Sequence, residues 1–307
     1  MKTVLLAGGT GGAKLAHGLQ QVLAPGELSV IVNVGDDTER HGLLICPDLD
    51  TILYTLAGVA DPRQGWGVAG DTHTAMAMLE RYGEETWFRI GDADLATHLH
   101  RAGLMREGAS LTDATASMAA GLGVPSRLLP ASDEAVRTVI ETDAGPIDFQ
   151  TYFVRNRQAD AVRGLRFDGA DAAQPTAAAL AAIAEAQLIV IGPSNPLVSI
   201  GPILAIGGYR EALEQASVPR IGVSGIVAGR ALRGPADRML ATLGHEATAR
   251  GVAALYAGLI DRFVIDEADA ELAPQIAELG MQPVVLPTVM HSDQDRAQLA
   301  RAIVALA

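Results

Sequence analysis

Residues 3–22, TVLLAGGTGGAKLAHGLQQV, contain the pattern that decides the fold. The apolar run at residues 3–7 has the length of a buried strand, and it ends in a cluster of glycines. Leu15, Leu19 and Val22 then recur at helical spacing and form one apolar stripe. The stretch therefore predicts a strand, a glycine-rich loop and a helix, the order that begins a Rossmann-like unit.

The rest of the chain repeats this alternation. Short apolar runs are each preceded or followed by Ala- and Leu-rich helical stretches. These runs lie at residues 28–34, 188–191, 220–223, 263–265 and 283–286. Such alternation predicts an α/β fold, Rossmann-like, with a mostly parallel sheet and helices on both faces.

The middle of the chain has a different pattern. Residues 58–172 first become helical and polar, and then give shorter β-like runs at 137–141, 149–154 and 162–167. We therefore predict a Rossmann-like core at residues 1–57 and 173–307, and an inserted α+β cap of helices and a small sheet between them.

Composition excludes several classes of partner. The 307 residues include 36 acidic and 23 basic side chains, which gives a formal net charge of −13. A general nucleic-acid or anionic-membrane binder needs a basic face, so neither partner is expected. The single cysteine, Cys46, cannot form an internal disulfide. With no apolar run long enough to cross a bilayer, a cytoplasmic location is expected.

The glycine-rich loop fits neither common phosphate-binding fingerprint. Lys14 stands where the dinucleotide pattern needs its third glycine, and Leu15 replaces the Ser or Thr of the P-loop. Free N–H groups at a helix N-terminus still favour anions, so a nucleotide or phosphate role is favoured over a merely tight turn. The residues predicted for this role are Gly9, Thr10, Gly11 and Gly12.

Two acidic motifs follow the second apolar run. Asp36 and Asp37 end that run, and Asp48 and Asp50 lie one loop later in PDLDT. Crowded carboxylates repel one another, and Mg²⁺, which prefers carboxylate and phosphate oxygens, would relieve that repulsion. We therefore predict a magnesium site made by Asp36, Asp37 and Asp50. Asp48 is expected instead to cap the helix that follows.

Two later motifs are weaker when each is taken alone. The loop GPSNP follows an apolar strand, and its Ser194, Asn195 and Pro196 are predicted to bind nucleotide or phosphate, with a structural turn as the open alternative. Arg89 in WFRIGD lies between aromatic and acidic residues. By itself that pattern is more typical of a surface ion pair than of a ligand contact.

The seven histidines form no recognisable metal motif. His98 and His100 are two residues apart, so on a helix they point to different faces. The chain also lacks HExxH, CxxC and GxSxG, which disfavours zinc hydrolysis, thiol redox chemistry and α/β-hydrolase chemistry. We therefore expect solvated histidines.

Ordered motifs extend over almost the whole chain. They are LAGGTGGAKLAHGL, VNVGDDTERHGLLICPDLDTILYTLAG, WFRIGDADLATH, DFQTYFVR, IGPSNPLVSIGPIL and VSGIVAGRALRGPADRML. Together they closely resemble the 2-phospho-L-lactate transferase family of coenzyme F-420 biosynthesis. The resemblance implies a magnesium-dependent transfer of a phospho-three-carbon-acid group from a guanylylated diphosphate donor to the deazaflavin Fo, with release of GMP.

The resemblance also implies roles for particular residues. Asp50 and Arg89 occupy the positions that bind Fo, and Asp50 is the candidate for orienting the Fo hydroxyl and accepting its proton. The glycine-rich loop and GPSNP match the nucleotide and phosphate loops. Gly225 and Ala131 depart from the family pattern, so the three-carbon acid stays open among phospholactyl, phosphoenolpyruvyl and phosphoglyceryl. A homodimer is compatible with the resemblance.

Two other functions are weighed against this one. A non-catalytic regulator that binds a nucleotide-sugar, related to gluconeogenesis factors, would share the GGTG loop and the Asp-Asp turn. Such proteins are expected to carry a Gly- and Ser-rich stretch where this chain has TERHG at residues 38–42. A dinucleotide oxidoreductase is weaker still, because Lys14 replaces the fingerprint glycine.

Overall fold

The computed structural model describes residues 1–307. Its strands are β1 (Thr3–Ala7), β2 (Leu28–Val32), β3 (Thr38–Arg40), β4 (Leu43–Ile45), β5 (Arg127–Pro130), β6 (Arg137–Thr142), β7 (Gly145–Asp148), β8 (Val162–Asp168), β9 (Leu188–Ile191), β10 (Arg220–Val223), β11 (Ile226–Val227), β12 (Arg230–Ala231), β13 (Arg262–Ile265) and β14 (Gln282–Val285).

The strands are connected mainly by helices. These are α1 (Gly9–Val22), α2 (Pro47–Leu56), α3 (Thr74–Arg81), α4 (Asp92–Arg106), α5 (Leu111–Gly121), α6 (Ala177–Ala184), α7 (Gly201–Ala205), α8 (Tyr209–Gln215), α9 (Ala236–Thr242), α10 (Ala249–Leu255), α11 (Ala273–Ala277) and α12 (Asp293–Val304). Shorter π-helical turns cover Thr151–Arg155 and Pro196–Ile200, and a 3-10 helix covers Glu267–Leu272. None of the helices has the length and apolar character needed to cross a membrane.

The central sheet has seven strands in the order β14-β13-β10-β9-β1-β2-β5, and every neighbouring pair is parallel. The predicted α/β fold with a parallel sheet is confirmed. The connection from β1 to β2 runs across the sheet in one direction and that from β9 to β10 in the other. Right-handed crossovers therefore place α1 and α8 on opposite faces.

Burial explains why the strand sequences are continuously apolar. Every residue of β1 and of β2 is buried, because helices cover both faces of the sheet. On one face α1 packs against α2 and α12, and on the other face α6 packs against α8. This rigid sheet holds the loops at its carboxyl edge, where the candidate site lies.

A smaller antiparallel sheet, β7-β6-β8, and the hairpin β3-β4 stand beside that edge. The predicted division into 1–57, 58–172 and 173–307 stays a prediction. One strand inside the 58–172 segment, β5, pairs in parallel with β2 as the edge strand of the central sheet. The segment is therefore not wholly separate from the core.

The strand predicted at residues 149–154 is wrong. The chain instead ends β7 at Asp148 and enters the π-helical turn Thr151–Arg155. Asp148 Oδ1 accepts the Thr151 N–H at 3.0 Å, which turns the chain out of the sheet. Phe149 and Phe153 then stack with ring centroids 5.4 Å apart. This pairing four residues apart needs helical spacing, and it overrides the β-propensity of the aromatic residues.

Candidate active site

The main cavity opens at the carboxyl ends of β1 and β9, where the strand order changes direction. From β1 the sheet continues through β2 and β5 on one side, and through β9, β10, β13 and β14 on the other. Open α/β sheets bind ligands at such a switch point. The main cavity has a volume of about 670 Å³ and is lined by these loops, by α2, and by the chain before and within α4.

The glycine-rich loop and the loop after β9 meet through their backbones. The Gly8 N–H donates to Ser194 Oγ at 3.1 Å. A Cβ atom at Gly11 would lie 2.2 Å from the Pro193 carbonyl oxygen, and one at Gly12 would lie 2.7 Å from Ser194 Oγ. The close approach of the two loops therefore requires glycine at these positions, although no dinucleotide fingerprint is present.

Most of the residues predicted to bind nucleotide or phosphate line the main cavity. They are Gly9, Thr10, Gly11, Ser194 and Asn195. Gly12 and Pro196 do not line it, and both are buried. Asn195 Oδ1 accepts the Leu197 N–H at 2.9 Å, so this side chain also caps the π-helical turn that follows. The binding roles of all these residues stay predictions.

Two cations stand beside the N-terminus of α1. Lys14 and Arg233 both line the main cavity. Lys14 Nζ donates to the Met290 carbonyl at 2.8 Å. Burial lowers the pKa of Lys14, and the charges of Arg296 and Arg233 lower it further. The lysine that breaks the fingerprint thus adds positive charge where the helix N-terminus already favours anions.

Asp48 belongs to the site, and the prediction that it caps a helix is wrong. Helix α2 begins at Pro47 with Cys46 as its N-cap and without a side-chain cap, so Asp48 lies inside the first turn. Asp48 Oδ1 accepts the Gly9 N–H at 2.7 Å, and its Oδ2 accepts from Asn33 Nδ2 at 2.9 Å. The carboxylate therefore joins α2 to the glycine-rich loop.

Asp36 and Asp48, here called the loop pair, are two buried carboxyls that line the main cavity. Burial raises the pKa of Asp36 well above its ordinary value, and the charge of Asp48 raises it further. Burial also raises the pKa of Asp48, to about 6, against hydrogen bonds from Asn33 and Gly9 that lower it. Asp36 Oδ1 has no hydrogen-bond partner. The loop pair therefore lacks a compensating cation within the chain.

Asp37 points to a different space. It lines a second cavity of about 450 Å³, between the β3-β4 hairpin and the small sheet, and it does not line the main cavity. Burial raises the pKa of Asp37 to about 7, although the nearby charge of Arg137 lowers it. The structure thus does not bring Asp36, Asp37 and Asp50 into one ligand set. Only Asp50, Asp94 and His98 bring one ligand atom each within 4.8 Å of one another.

Asp50 lies in the main cavity with its own buried counter-charge. Arg101 Nη2 donates to Asp50 Oδ1, and Arg101 has no exposed surface. Burial lowers the pKa of Arg101, but the charge and hydrogen bond of Asp50, together with the nearby Cys46 and Asp37, outweigh burial and the net shift is upward. His98 is buried beside the pair, with Nδ1 3.6 Å from Asp50 Oδ2. The expectation that His98 is solvated is therefore wrong.

Helix α4 carries residues that the sequence interpretation missed. Asp94, His98 and Arg101 are spaced by four and three residues, so they share one helix face. His98 Nε2 lies 3.3 Å from Asp94 Oδ1, and the Tyr54 hydroxyl donates to the same oxygen at 2.7 Å. A polar stripe at helical spacing was the available signal. We name Asp50, Asp94, His98 and Arg101 the helix cluster.

The mouth of the main cavity is aromatic. Trp87, Phe88, Phe153 and the half-exposed Trp66 line it together with Arg89. Arg89 is exposed. The ion pairs at this rim join Arg155 to Glu85 and Arg40 to Asp148, and neither involves Arg89. Arg89 thus presents a charge at the opening, 39 positions along the chain from Asp50 but in the same cavity.

The two departures from the family pattern lie in different places. Gly225 lines the main cavity, where a Cβ atom would lie 3.3 Å from the carbonyl oxygens of Pro193 and Ser194. Ala131 is fully buried away from it, and its carbonyl accepts the Tyr209 hydroxyl at 2.7 Å. Only Gly225 is therefore placed to affect the shape of the cavity directly.

The fold is shared with a protein of known structure. A crystal structure of a UPF0052-family protein from Bacillus halodurans matches with a TM-score of 0.63 over 98% of this chain and 98% of that one, at 17% sequence identity. A second crystal structure of the same Bacillus halodurans protein matches with a TM-score of 0.64 over 99% of both chains. At this identity the likeness concerns the fold alone.

Sequence comparison identifies the family of the chain as well as its fold. The family model described as 2-phospho-L-lactate transferase CofD matches residues 3–303. A phosphoenolpyruvate transferase of Kitasatospora aureofaciens is 42% identical over 100% of this chain and 98% of its own. A phosphoenolpyruvate transferase of Mycobacterium tuberculosis is 39% identical over 98% of this chain and 97% of its own. The chain, with its glycine-rich loop and acidic motifs at one switch point, belongs to the 2-phospho-L-lactate transferase family.

Proposed function

We propose that the protein transfers a phospho-three-carbon-acid group from a guanylylated diphosphate donor to the deazaflavin Fo, with release of GMP, in coenzyme F-420 biosynthesis. One observation carries the proposal: a single cavity joins a helix N-terminus flanked by cations, buried carboxylates and an aromatic mouth with Arg89. These are the groups that a diphosphate, a metal and a flat aromatic acceptor need.

The donor's acid is proposed to be phosphoenolpyruvyl. The family model is described by 2-phospho-L-lactate, but relatives at 39–42% identity are named phosphoenolpyruvate transferases. Coverage of almost the whole of both chains favours the same donor here. Phospholactyl and phosphoglyceryl donors are the competing substrates in the test below.

The cavity divides naturally between the two substrates. The N–H groups at the start of α1, with Lys14 and Arg233, would hold the phosphates of the donor. The aromatic side chains of the mouth and Arg89 would hold the deazaflavin ring, as the resemblance implies. Asp50 lines the same cavity from α2 and would meet the terminal ribityl hydroxyl of Fo.

In the proposed reaction the Fo hydroxyl oxygen forms a bond to the donor phosphorus that bears the three-carbon acid. The bond from that phosphorus to the GMP oxygen breaks, and GMP leaves with the bonding electrons. The hydroxyl proton passes to Asp50, whose Oδ2 has no partner within the chain. Positioning of the two substrates in line supplies much of the acceleration.

Mg²⁺ fits the loop pair better than the ligand set predicted from sequence. Asp36 and Asp48 are buried beside the phosphate loop without a cation, whereas Asp37 lies in the second cavity and Asp50 is paired with Arg101. We propose Asp36 and Asp48 as the protein ligands. When bound, the ion would neutralise charge that the diphosphate carries and that GMP gains on leaving.

The test supplies purified protein with Fo, Mg²⁺ and each of the three guanylylated donors, and follows the deazaflavin product and GMP together. We expect equimolar product and GMP, fastest with the phosphoenolpyruvyl donor, and loss of turnover when EDTA removes the metal. Asp50→Asn should lower kcat by about 100-fold or more, as expected for loss of a proton acceptor. The matched control is Asp171→Asn, at an exposed position that does not line the cavity.

Product with none of the donors would contradict the proposal. If the same protein then bound a nucleotide-sugar without consuming it, the non-catalytic regulator related to gluconeogenesis factors would replace the transferase. Full turnover of Asp50→Asn at saturating substrates would instead remove only the proton-accepting role of Asp50.

A further inference from the structure

The helix cluster contains a directed set of hydrogen bonds, one of which ends at Asp50. Arg101 supplies its direction, because a guanidinium only donates hydrogen bonds. Its Nη2 donates to Asp50 Oδ1. Its Nη1 donates to the Leu44 carbonyl at 3.2 Å and to His98 Nδ1 at 3.2 Å. Arg101 is therefore tied to three separate elements: α2, β4 and its own helix.

The donor-only guanidinium determines the tautomer of His98. Since Nδ1 accepts from Arg101, it carries no proton, and the ring proton of neutral His98 sits on Nε2. Nε2 faces Asp94 Oδ1 at 3.3 Å, and the Tyr54 hydroxyl donates to that oxygen from the other helix. The contact of Nε2 with Asp94 is not a hydrogen bond, so the bond that orients the His98 ring is the one that Nδ1 accepts from Arg101.

This tautomer leaves one oxygen of Asp50 free. His98 Nδ1 lies 3.6 Å from Asp50 Oδ2, but an unprotonated nitrogen has nothing to donate to it. Asp50 Oδ2 is accordingly buried without a hydrogen-bond partner, in a residue that lines the main cavity. Oδ1 of Asp50 accepts a hydrogen bond from Arg101, and Oδ2 accepts none. Only Oδ2 is therefore available to a ligand.

We propose that Arg101 and His98 are positioning residues, which hold Asp50 so that its Oδ2 alone is presented to the hydroxyl of the acceptor. The inference rests on the proposed function, and it adds two residues that act through Asp50. A carboxylate restrained at one oxygen cannot rotate away from the reacting hydroxyl. The loss of that restraint should lower kcat, whereas donor binding, which uses the N–H groups of α1, Lys14 and Arg233, should be unaffected.

The experiment measures kcat and KM for donor and for Fo in paired variants. His98→Leu removes the acceptor for Arg101, and His98→Asn restores an amide oxygen near the Nδ1 position. We expect His98→Leu to lower kcat by about 30-fold and His98→Asn to recover most of the loss, with the donor KM unchanged in both. Arg101→Lys keeps the charge, but its donors all lie on one nitrogen and cannot reach Asp50, Leu44 and His98 in the fork geometry of the guanidinium, so it should lower kcat by about 100-fold.

Matched controls come from the same helix. His100 and Arg106 are exposed on α4, so His100→Leu and Arg106→Lys should retain wild-type kcat. Thermal melting of every variant separates a loss of folded protein from a loss of rate per folded molecule. Equal kcat for His98→Leu, His98→Asn and wild type would overturn the inference, as would wild-type kcat in Arg101→Lys.

The wild-type reaction separates this inference from the proposed function. If wild-type protein gives no product with Fo and any donor, the proposed function fails before the variants are compared. If wild-type protein turns over and the variants match it, the function stands and the positioning role of Arg101 and His98 is wrong. A parallel loss of kcat and of folded protein, without rescue by His98→Asn, would also count against positioning.

Discussion

The main cavity contains two groups of buried carboxylates that differ in their counter-charge. In the loop pair, Asp36 and Asp48 face each other's charge without a cation, and burial raises the pKa of both. In the helix cluster, Asp50 is ion-paired with the fully buried Arg101. Buried aspartates in this cavity therefore differ in their electrostatics, and the difference depends on whether a cationic side chain lies beside them.

The difference shows how one cavity can hold both a metal and a proton acceptor. A carboxylate pair without a cation gains most from an ion taken from solution, because burial without a counter-charge is costly. A carboxylate with an internal cation needs no metal and remains oriented. Within the helix cluster, burial raises the pKa of Asp94, but contacts from His98 and Tyr54 outweigh this and the net shift is downward.

The largest expected effect comes from removing the cation of the helix cluster. Arg101→Met leaves Asp50 buried and uncompensated, which should lower the free energy of unfolding by about 3–5 kcal/mol. Denaturant unfolding followed by circular dichroism measures this change. The double variant Asp50→Asn with Arg101→Met should recover much of the loss, because both charges are then absent.

Exposed Arg106 provides the control for that measurement, since Arg106→Met removes a charge from the same helix outside the cluster. A double variant no more stable than Arg101→Met would show that the arginine acts through packing of its carbon chain instead of through the charge of Asp50. The two groups of carboxylates would then differ less than the geometry indicates.

A second prediction concerns the loop pair and pH. The pKa of Asp48 rises from 3.8 to about 6 on folding, so the native state binds the proton more tightly than the unfolded chain. Its contribution to stability is full below about pH 4 and is lost as pH rises through 6. In metal-free buffer, Asp48→Asn should equal wild type near pH 4 and exceed its stability by about 3 kcal/mol above pH 7.

Urea unfolding between pH 4 and 8 measures this difference, and Mg²⁺ should reduce it at the upper end by stabilising wild type. Asp61 supplies a control of opposite sign, because hydrogen bonds from the Arg63 backbone and side chain lower its pKa to about 2. Asp61→Asn should be less stable than wild type throughout pH 4 to 8, because the stabilisation from a lowered pKa is already present above about pH 4. If the stability difference between Asp48→Asn and wild type did not change with pH, burial would not raise the pKa of the Asp48 carboxyl.

The same comparison separates what sequence can predict from what it cannot. The glycine-rich loop and the parallel strands follow from local composition and apolar spacing, and the structure contains both. Asp48 was misassigned because an aspartate at the start of a helix has a frequent local use, whereas its real partners, Gly9 and Asn33, are distant in sequence.

Arg101 and His98 were missed for a related reason. Arg101 is 51 residues from Asp50 in the chain. A polar helix face has the same sequence pattern whether it packs against another polar residue or faces water. The polar spacing of Asp94, His98 and Arg101 is visible in the sequence, but burial of that face depends on how α4 packs. Local chemistry is therefore predictable here, and charge pairing across elements is not.

The smallest expected effect tests the far end of the helix cluster. The Tyr54 hydroxyl donates to Asp94 Oδ1 at 2.7 Å, and Tyr54→Phe removes that bond with little change in shape. Because the acceptor is charged, the loss should lower the free energy of unfolding by about 1.5–2 kcal/mol at neutral pH. The pKa of Asp94 lies below its ordinary 3.8, so its stabilisation is present above pH 4 and is lost as pH falls through the folded-state pKa. The cost of Tyr54→Phe should therefore shrink in acid.

Tyr209 offers a matched control, since its buried hydroxyl donates at the same 2.7 Å distance to a neutral acceptor, the Ala131 carbonyl. Tyr209→Phe should cost about 1 kcal/mol with no dependence on pH, because a carbonyl does not titrate in this range. Unfolding curves of both variants at pH 3 and pH 7 measure the contrast. If the two variants lose the same stability at both pH values, Asp94 carries no charge that the hydroxyl stabilises. The helix cluster would then balance Asp50 by Arg101 alone, and Asp94 would have no electrostatic part in holding His98.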